Sequence, residues 1–125
     1  MKSHTSKGLR IVLLVYAIFW AVYGLLHVIS PELMQAKDPA IERILGAAVL
    51  SFAIGAGIAY WERDWARVKN LVLMQVIWMF LYTITMAWGL LVGGIPAVAG
   101  GPTIIGAVFA VLLTILYIRE EKIKR

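Results

Sequence analysis

The chain alternates long uncharged stretches with short segments that hold its charges. Ile11 to Ser30, Ile44 to Trp61, Asn70 to Val92 and Ala97 to Ile118 contain no Asp, Glu, Lys or Arg, and Leu, Ile, Val, Ala and aromatic side chains dominate each. A helix rises about 1.5 Å per residue, and about 20 apolar residues cross a hydrocarbon core. The pattern therefore predicts four transmembrane helices. The second stretch gains a turn from Asp38-Pro39, an acceptor at the cap followed by proline at the first helical position, where its missing N–H is harmless. The expected fold is all-α: an integral membrane four-helix bundle, one domain over residues 1 to 125, with spans at about 11–30, 40–61, 70–92 and 97–118.

Within the predicted helices, polar and aromatic positions fall into stripes. Tyr16, Trp20, Tyr23, His27 and Ser30 recur at steps of four and three, as do Gln75, Trp78, Tyr82, Thr85 and Gly89 in the third helix. Such steps put each set on one helical face. Ala47, Ser51, Gly55 and Ala59 form a small-residue face on the second helix, and Thr103, Gly106, Ala107, Ala110, Thr114 and Tyr117 share a face of the fourth. Lipid offers no hydrophobic force between helices, so close backbone approach and polar groups mark interior faces. These faces are expected inside, with Leu, Ile, Val, Phe and Met outside. The uncharged, glycine-rich segment Gly93 to Pro102 is expected as a tight connection.

Composition agrees with the pattern. Of 125 residues, 62% are hydrophobic and 15% charged, with a mean hydropathy of +0.85, whereas soluble domains carry about 25% charged residues. The absence of cysteine excludes thiolate catalysis, dithiol redox cycling and thiolate metal sites. The basic N-terminus before an apolar run resembles a secretory leader, but the run to Ile29 exceeds the usual 7 to about 15 residues and is expected to be a retained span.

Charge distribution sets the expected orientation. Ten Lys and Arg flank one side (Lys2, Lys7, Arg10, Arg63, Arg67, Lys69, Arg119, Lys122, Lys124, Arg125) against four acids, and the other side holds Lys37 and Arg43 against three acids, which accounts for the net +5. Basic residues stay inside, so both termini are expected in the cytoplasm and the protein in the cell membrane. Arg63, Arg67 and Lys69 are then expected to contact anionic lipid, and nucleic acid is not an expected partner. Trp61, Trp65 and Tyr117 fall at the inner boundary, where amphipathic rings anchor. Glu42 and Arg43 read as a solvated interfacial pair.

Depth matching places Trp20, Tyr23, Trp78 and Tyr82 together near the midplane, and Gln75 near the depth of Tyr16. His27 lies further out, level with Thr85 and beneath a loop carrying Glu32, Asp38 and Glu42. Tyr16, Trp20, Tyr23, His27, Gln75, Trp78, Tyr82 and Thr85 thus describe either helix packing or a polar-aromatic pocket between helices one and three. Such a pocket suits a flat or amphipathic ligand such as a quinone or lipid. His27 is the one histidine within a span. His4 lies in a disordered-looking tail, so a bis-histidine haem or a histidine-rich metal site is not expected. The spans lack the buried carboxylate on which proton-coupled exporters of similar size depend.

Gly24-Leu25-Leu26-His27, Pro31-Glu32, Asp38-Pro39 and Arg43-Ile44-Leu45-Gly46-Ala47, followed by an inner loop with Trp and Arg, occur in that order. From about residue 20 to 94 the chain resembles the small bacterial four-helix membrane proteins of the DoxX-like group, with the related domains of unknown function. The resemblance implies a membrane accessory subunit, in some relatives linked to quinone-dependent oxidation, but it transfers no catalytic residue. The expected function is that of a non-catalytic accessory or structural subunit that packs with other membrane subunits or with itself. A carrier of a small hydrophobic molecule is the alternative, and an enzyme using His27 ranks third.

Overall fold

The computed structural model describes residues 4–35 and 37–124; Lys2 and Arg125, two of the basic residues counted above, lie outside them. Four α-helices make up the described chain: α1 (Lys7–Ile29), α2 (Pro39–Trp61), α3 (Trp65–Leu91) and α4 (Gly100–Lys124). All four are long and apolar enough to cross a membrane. Consecutive helices run antiparallel, α1 against α2 and α3 against α4, while α1 and α3 face each other across the diagonal. One end of the bundle holds both termini and the α2–α3 connection. The other, the loop end, holds the two longer connections.

The helix starts follow from side-chain caps. Ser6 Oγ accepts from Leu9 N at 3.3 Å, Asp38 Oδ1 from Ala40 N at 3.0 Å, and Asp64 Oδ1 from Ala66 N at 3.1 Å. The Asp64 cap starts the third helix ahead of the expected span. α3 begins at Trp65 and not near Asn70, because the charged turn presents Trp65 and Val68 to the interior. At the other extreme, α4 runs past Ile118 to Lys124, held by a Lys124 Nζ to Glu120 Oε2 bond of 2.6 Å. α1 starts at Lys7, a turn before the uncharged stretch. Residues Ala97–Ala99 form a 3-10 turn ahead of α4.

Residues His4 to Ser6 are also held more firmly than their composition suggests. Thr5 N donates to Arg63 O at 2.8 Å, His4 pairs antiparallel with Asp64, and Ser6 N donates to Glu120 Oε1 at 2.9 Å. His4 to Ser6 thus strap the termini end. Glu120 is fully buried beneath this strap.

The interior is layered. Leu9, Leu13, Val68, Val72 and Leu113 fill the termini end, Tyr16, Trp20, Met79, Tyr82 and Phe109 fill the middle, and Tyr23, His27 and Met86 approach the loop end. Large apolar side chains face outward on every helix, among them Ile18, Ile44, Ile84 and Ile104.

The small-residue face of α2 needs correction. Ala47 and Ser51 are exposed and Gly55 is half-buried, and of the four only Ala59 is buried. The buried line is Gly46, Val49, Ala53, Ala56 and Ala59. Steps of three, four, three and three shift this line from the predicted one, because Gly46 must face α1. A Cβ there would lie 2.7 Å from His27 Cβ and 2.8 Å from Gly24 O. Gly24 is reciprocal: its Cβ would lie 3.0 Å from Gly46 O. The α1–α2 crossing is closest at this glycine pair.

Candidate functional site

The glycine crossing positions the most distinctive polar contact. His27 sits one turn beyond Gly24 on α1, and Glu42 sits one turn before Gly46 on α2. Close approach of the two backbones brings His27 Nε2 to 2.8 Å from Glu42 Oε1. The histidine side chain is 2% exposed and the glutamate 21%. On its other side, His27 Nδ1 lies 2.8 Å from Tyr23 O, and the Tyr23 and His27 ring centroids are 4.2 Å apart.

Both ring nitrogens of His27 thus face oxygen atoms. The Tyr23 carbonyl can only accept, so Nδ1 carries a hydrogen. A hydrogen bond between Nε2 and a carboxyl oxygen requires a second proton, carried either by the imidazole or by Glu42. Imidazolium with carboxylate, or neutral imidazole with carboxylic acid, both satisfy the geometry.

Below the pair, the predicted stripe residues divide. Tyr82 Oη lies 3.4 Å from Tyr23 Oη, and Tyr16 Oη donates to Gln75 Oε1 at 2.7 Å. Trp20 packs edge-on to Tyr23 and Tyr82, with centroids 5.3 Å and 5.2 Å away. Tyr16, Trp20, Tyr23, His27, Gln75 and Tyr82 thus meet in the interior. Trp78 is half-buried and stacks on Phe52 of α2 at 4.5 Å. Thr85 is exposed and takes no part. Between helices one and three there is a packed aromatic column where a pocket was one of the expectations. Its members are large enough to bridge the diagonal.

The space lies above this column, at the loop end. A cleft of about 230 Å³ opens between the two longer connections, with Tyr23, His27, Lys37, Asp38 and Glu42 as its polar lining and Met34, Ile41, Leu45, Met86, Ile95 and Val98 among its walls. This volume falls below the ~300 Å³ where ordinary ligand pockets begin, so it suits a head group or compact molecule. The second loop closes one side by folding back on α3. Gly94 N and Ile95 N both donate to Gly89 O, at 2.9 Å and 3.2 Å, and the Ile95 side chain occupies the space a Cβ on Gly89 would need. Gly93 makes the reversal possible with a φ of +74°, a backbone region that disfavours other residues.

Glu42 is the site residue that sequence reasoning misassigned, as half of a solvated pair with Arg43. Arg43 instead donates from Nε to Val28 O at 3.2 Å, while Glu42 turns inward. The signal was available in the hairpin register. Gly24 and Gly46 lie eleven residues either side of Gln35, and His27 and Glu42 lie eight before and seven after it. Two glycines opposed across an antiparallel turn mark close approach and so align the residues beside them. Glu32, the other loop carboxylate considered, is exposed.

At the termini end, Arg67 is 71% exposed and lies 3.4 Å from Glu62 and 3.6 Å from Asp64. Arg63 is exposed and Lys69 half-buried. Trp61 is 82% exposed, whereas Trp65 is buried and its Nε1 donates to Glu121 Oε1 at 2.8 Å. Among the described residues, no group of three or more His, Asp or Glu could hold a metal ion. Comparison with family models, curated proteins and solved structures gave no match.

Proposed function

We propose that this chain is a multi-pass protein of the cell membrane, with both termini cytoplasmic, that binds a small amphipathic molecule in its loop-end cleft without transforming it. The outward Ile and Leu on all four helices support the membrane location, since a soluble monomer rarely exposes apolar patches above a few hundred Å². Basic residues clustered at the termini end support the orientation. The observation favouring a binding site is the cleft itself, in which the contact between buried His27 and half-buried Glu42 faces apolar walls. A polar head at the pair and an apolar body along Met34, Ile41 and Leu45 suit membrane-soluble molecules such as quinones and lipids. The DoxX-like resemblance is compatible with this reading and remains a proposal of kinship.

The test uses a short-chain quinone as a neutral probe, with the full chain in mild detergent. Wild type should retain the probe, and Ile41→Trp should displace it by filling the cleft from an exposed position without disturbing the core. Equal retention by both proteins refutes the cleft as the site.

An accessory or structural subunit is the second reading. It is favoured by the predicted small-residue face of α2, where Ala47 and Ser51 remain exposed and free to meet an external helix. Ser51→Leu should then release a co-purifying subunit or dissociate a homo-oligomer. An unchanged particle mass counts against this reading.

A further inference from the structure

A second hollow adjoins the loop-end cleft. Val15, Ile18, Phe19, Val22, Tyr23 and Leu26 line an open groove of about 510 Å³ on α1. Val15, Ile18, Val22 and Leu26 recur at steps of three and four, which puts them on one face of the helix, and all four are exposed. They form the rim. Phe19 is half-buried and Tyr23 buried, and their rings lie nearly parallel, 10° apart with centroids at 6.2 Å, as the floor. Apart from the Tyr23 hydroxyl, which lies 3.4 Å from Tyr82 Oη, the lining side chains are hydrocarbon. Tyr23 also lines the cleft. The two hollows meet at this one side chain.

Depth and length narrow what the groove can hold. α1 runs from Lys7 to Ile29 with Ile18 at its middle, so the groove occupies mainly the loop-side half. From Val15 to Leu26 the helix rises about 16 Å, close to one leaflet of a hydrocarbon core about 30 Å thick. A helix of a neighbouring subunit crosses both leaflets, whereas a lipid chain crosses one. At the loop-side end of the groove stand the polar groups of the cleft, His27, Asp38 and Glu42 among them. The cleft, at about 230 Å³, holds a compact head and leaves no room for a long chain.

We infer that cleft and groove form one site for an amphiphile with a single linear acyl chain, taken up sideways from the loop-side leaflet. The inference rests on the reading of the cleft as an amphiphile site and specifies the ligand's shape and the path of its chain. The compact polar head lies in the cleft; the chain leaves past Tyr23, follows the Phe19 and Tyr23 rings and ends near Val15. Lipid tails are as apolar as the rim, so moving a chain into the groove gains no hydrophobic transfer. The head supplies the hold. Occupancy of the groove thus depends on occupancy of the cleft, a dependence that lipid merely surrounding the bundle does not show.

The experiment places the full chain in nanodiscs of uncharged lipid doped with monopalmitoyl glycerol carrying a mid-chain diazirine, then illuminates and maps the labelled peptides. Label should concentrate on residues 15–26 of α1 and fall several-fold under excess unlabelled monopalmitoyl glycerol. Val22→Trp, which fills the groove from an exposed position, should remove this label. Ile41→Trp lies outside the groove and fills the cleft, and it should remove the label as well. Label spread over the outward faces of all four helices overturns the inference, as does α1 label that Ile41→Trp leaves unchanged. A two-chain particle that Val22→Trp reduces to one chain also overturns it and gives the groove to a second copy. Retention of the short-chain quinone without competed α1 label overturns the inference and leaves the cleft reading intact. Failure of both probes overturns both.

Discussion

Substituting Gly46 by alanine sets two opposing effects against each other. Alanine is favoured over glycine in a helix by about 1 kcal/mol, which alone makes Gly46→Ala stabilising. The added Cβ, however, meets His27 Cβ at 2.7 Å, Gly24 O at 2.8 Å and Val28 Cγ2 at 2.8 Å. Ordinary contact begins at 3.4 Å, so the neighbours must retreat by several tenths of an ångström. A backbone oxygen cannot swing aside as a side-chain tip can, and α1 must move away from α2. Forcing a methyl into a packed contact costs about 1–3 kcal/mol, which exceeds the propensity gain, so Gly46→Ala should be destabilised. Gly57 is the control. A Cβ there meets nothing within 4 Å, so Gly57→Ala should keep the propensity gain. Unfolding of both variants by denaturing detergent, followed by circular dichroism, gives the comparison. If Gly46→Ala proves as stable as Gly57→Ala, the glycine crossing is not the close contact described, and the placement of His27 against Glu42 loses its cause.

Other substitutions probe separate parts of the structure. Tyr16→Phe leaves Gln75 Oε1 buried without the partner seen at 2.7 Å and should cost about 1–3 kcal/mol. Combining it with Gln75→Leu should recover part of that loss, and additive destabilisation in the same unfolding assay would show that the bond contributes little. Glu120→Ala removes the acceptor shared by Ser6 N and Lys124 Nζ, so the His4–Ser6 strap should loosen. Limited proteolysis ahead of α1 should accelerate several-fold, and an unchanged cleavage rate refutes the strap's dependence on Glu120. For the orientation, Lys37→Cys at the exposed loop end should react with an impermeant thiol reagent applied to intact cells. Labelling from the cytoplasmic side alone reverses the topology.

Local rules made the helices legible. Asp38-Pro39 announces the start of α2 from two adjacent residues, and the uncharged runs define four apolar helices without reference to one another. Ends set by contacts between helices were harder to read. The charged turn Trp65 to Lys69 belongs to α3 because Trp65 and Val68 find the interior and Glu121 receives the indole N–H, and only the folded bundle supplies that partner. The same holds for Ala47 and Ser51, whose spacing suits packing equally well inside the bundle or against an external helix.

The sequence alone determined four apolar helices, the clustering of positive charge at the termini end and the stripes on α1 and α3, since each depends on residues a few positions apart. Tertiary structure decided which stripe members meet, why Thr85 does not, and that Glu42 rather than another loop carboxylate faces His27. The physical reason is helix rotation. A periodic pattern defines a face to within about one residue, or 100° on a helix of 3.6 residues per turn. The closest approach of two backbones, here Gly24 against Gly46, selects among the neighbouring rotations and brings one titratable pair together.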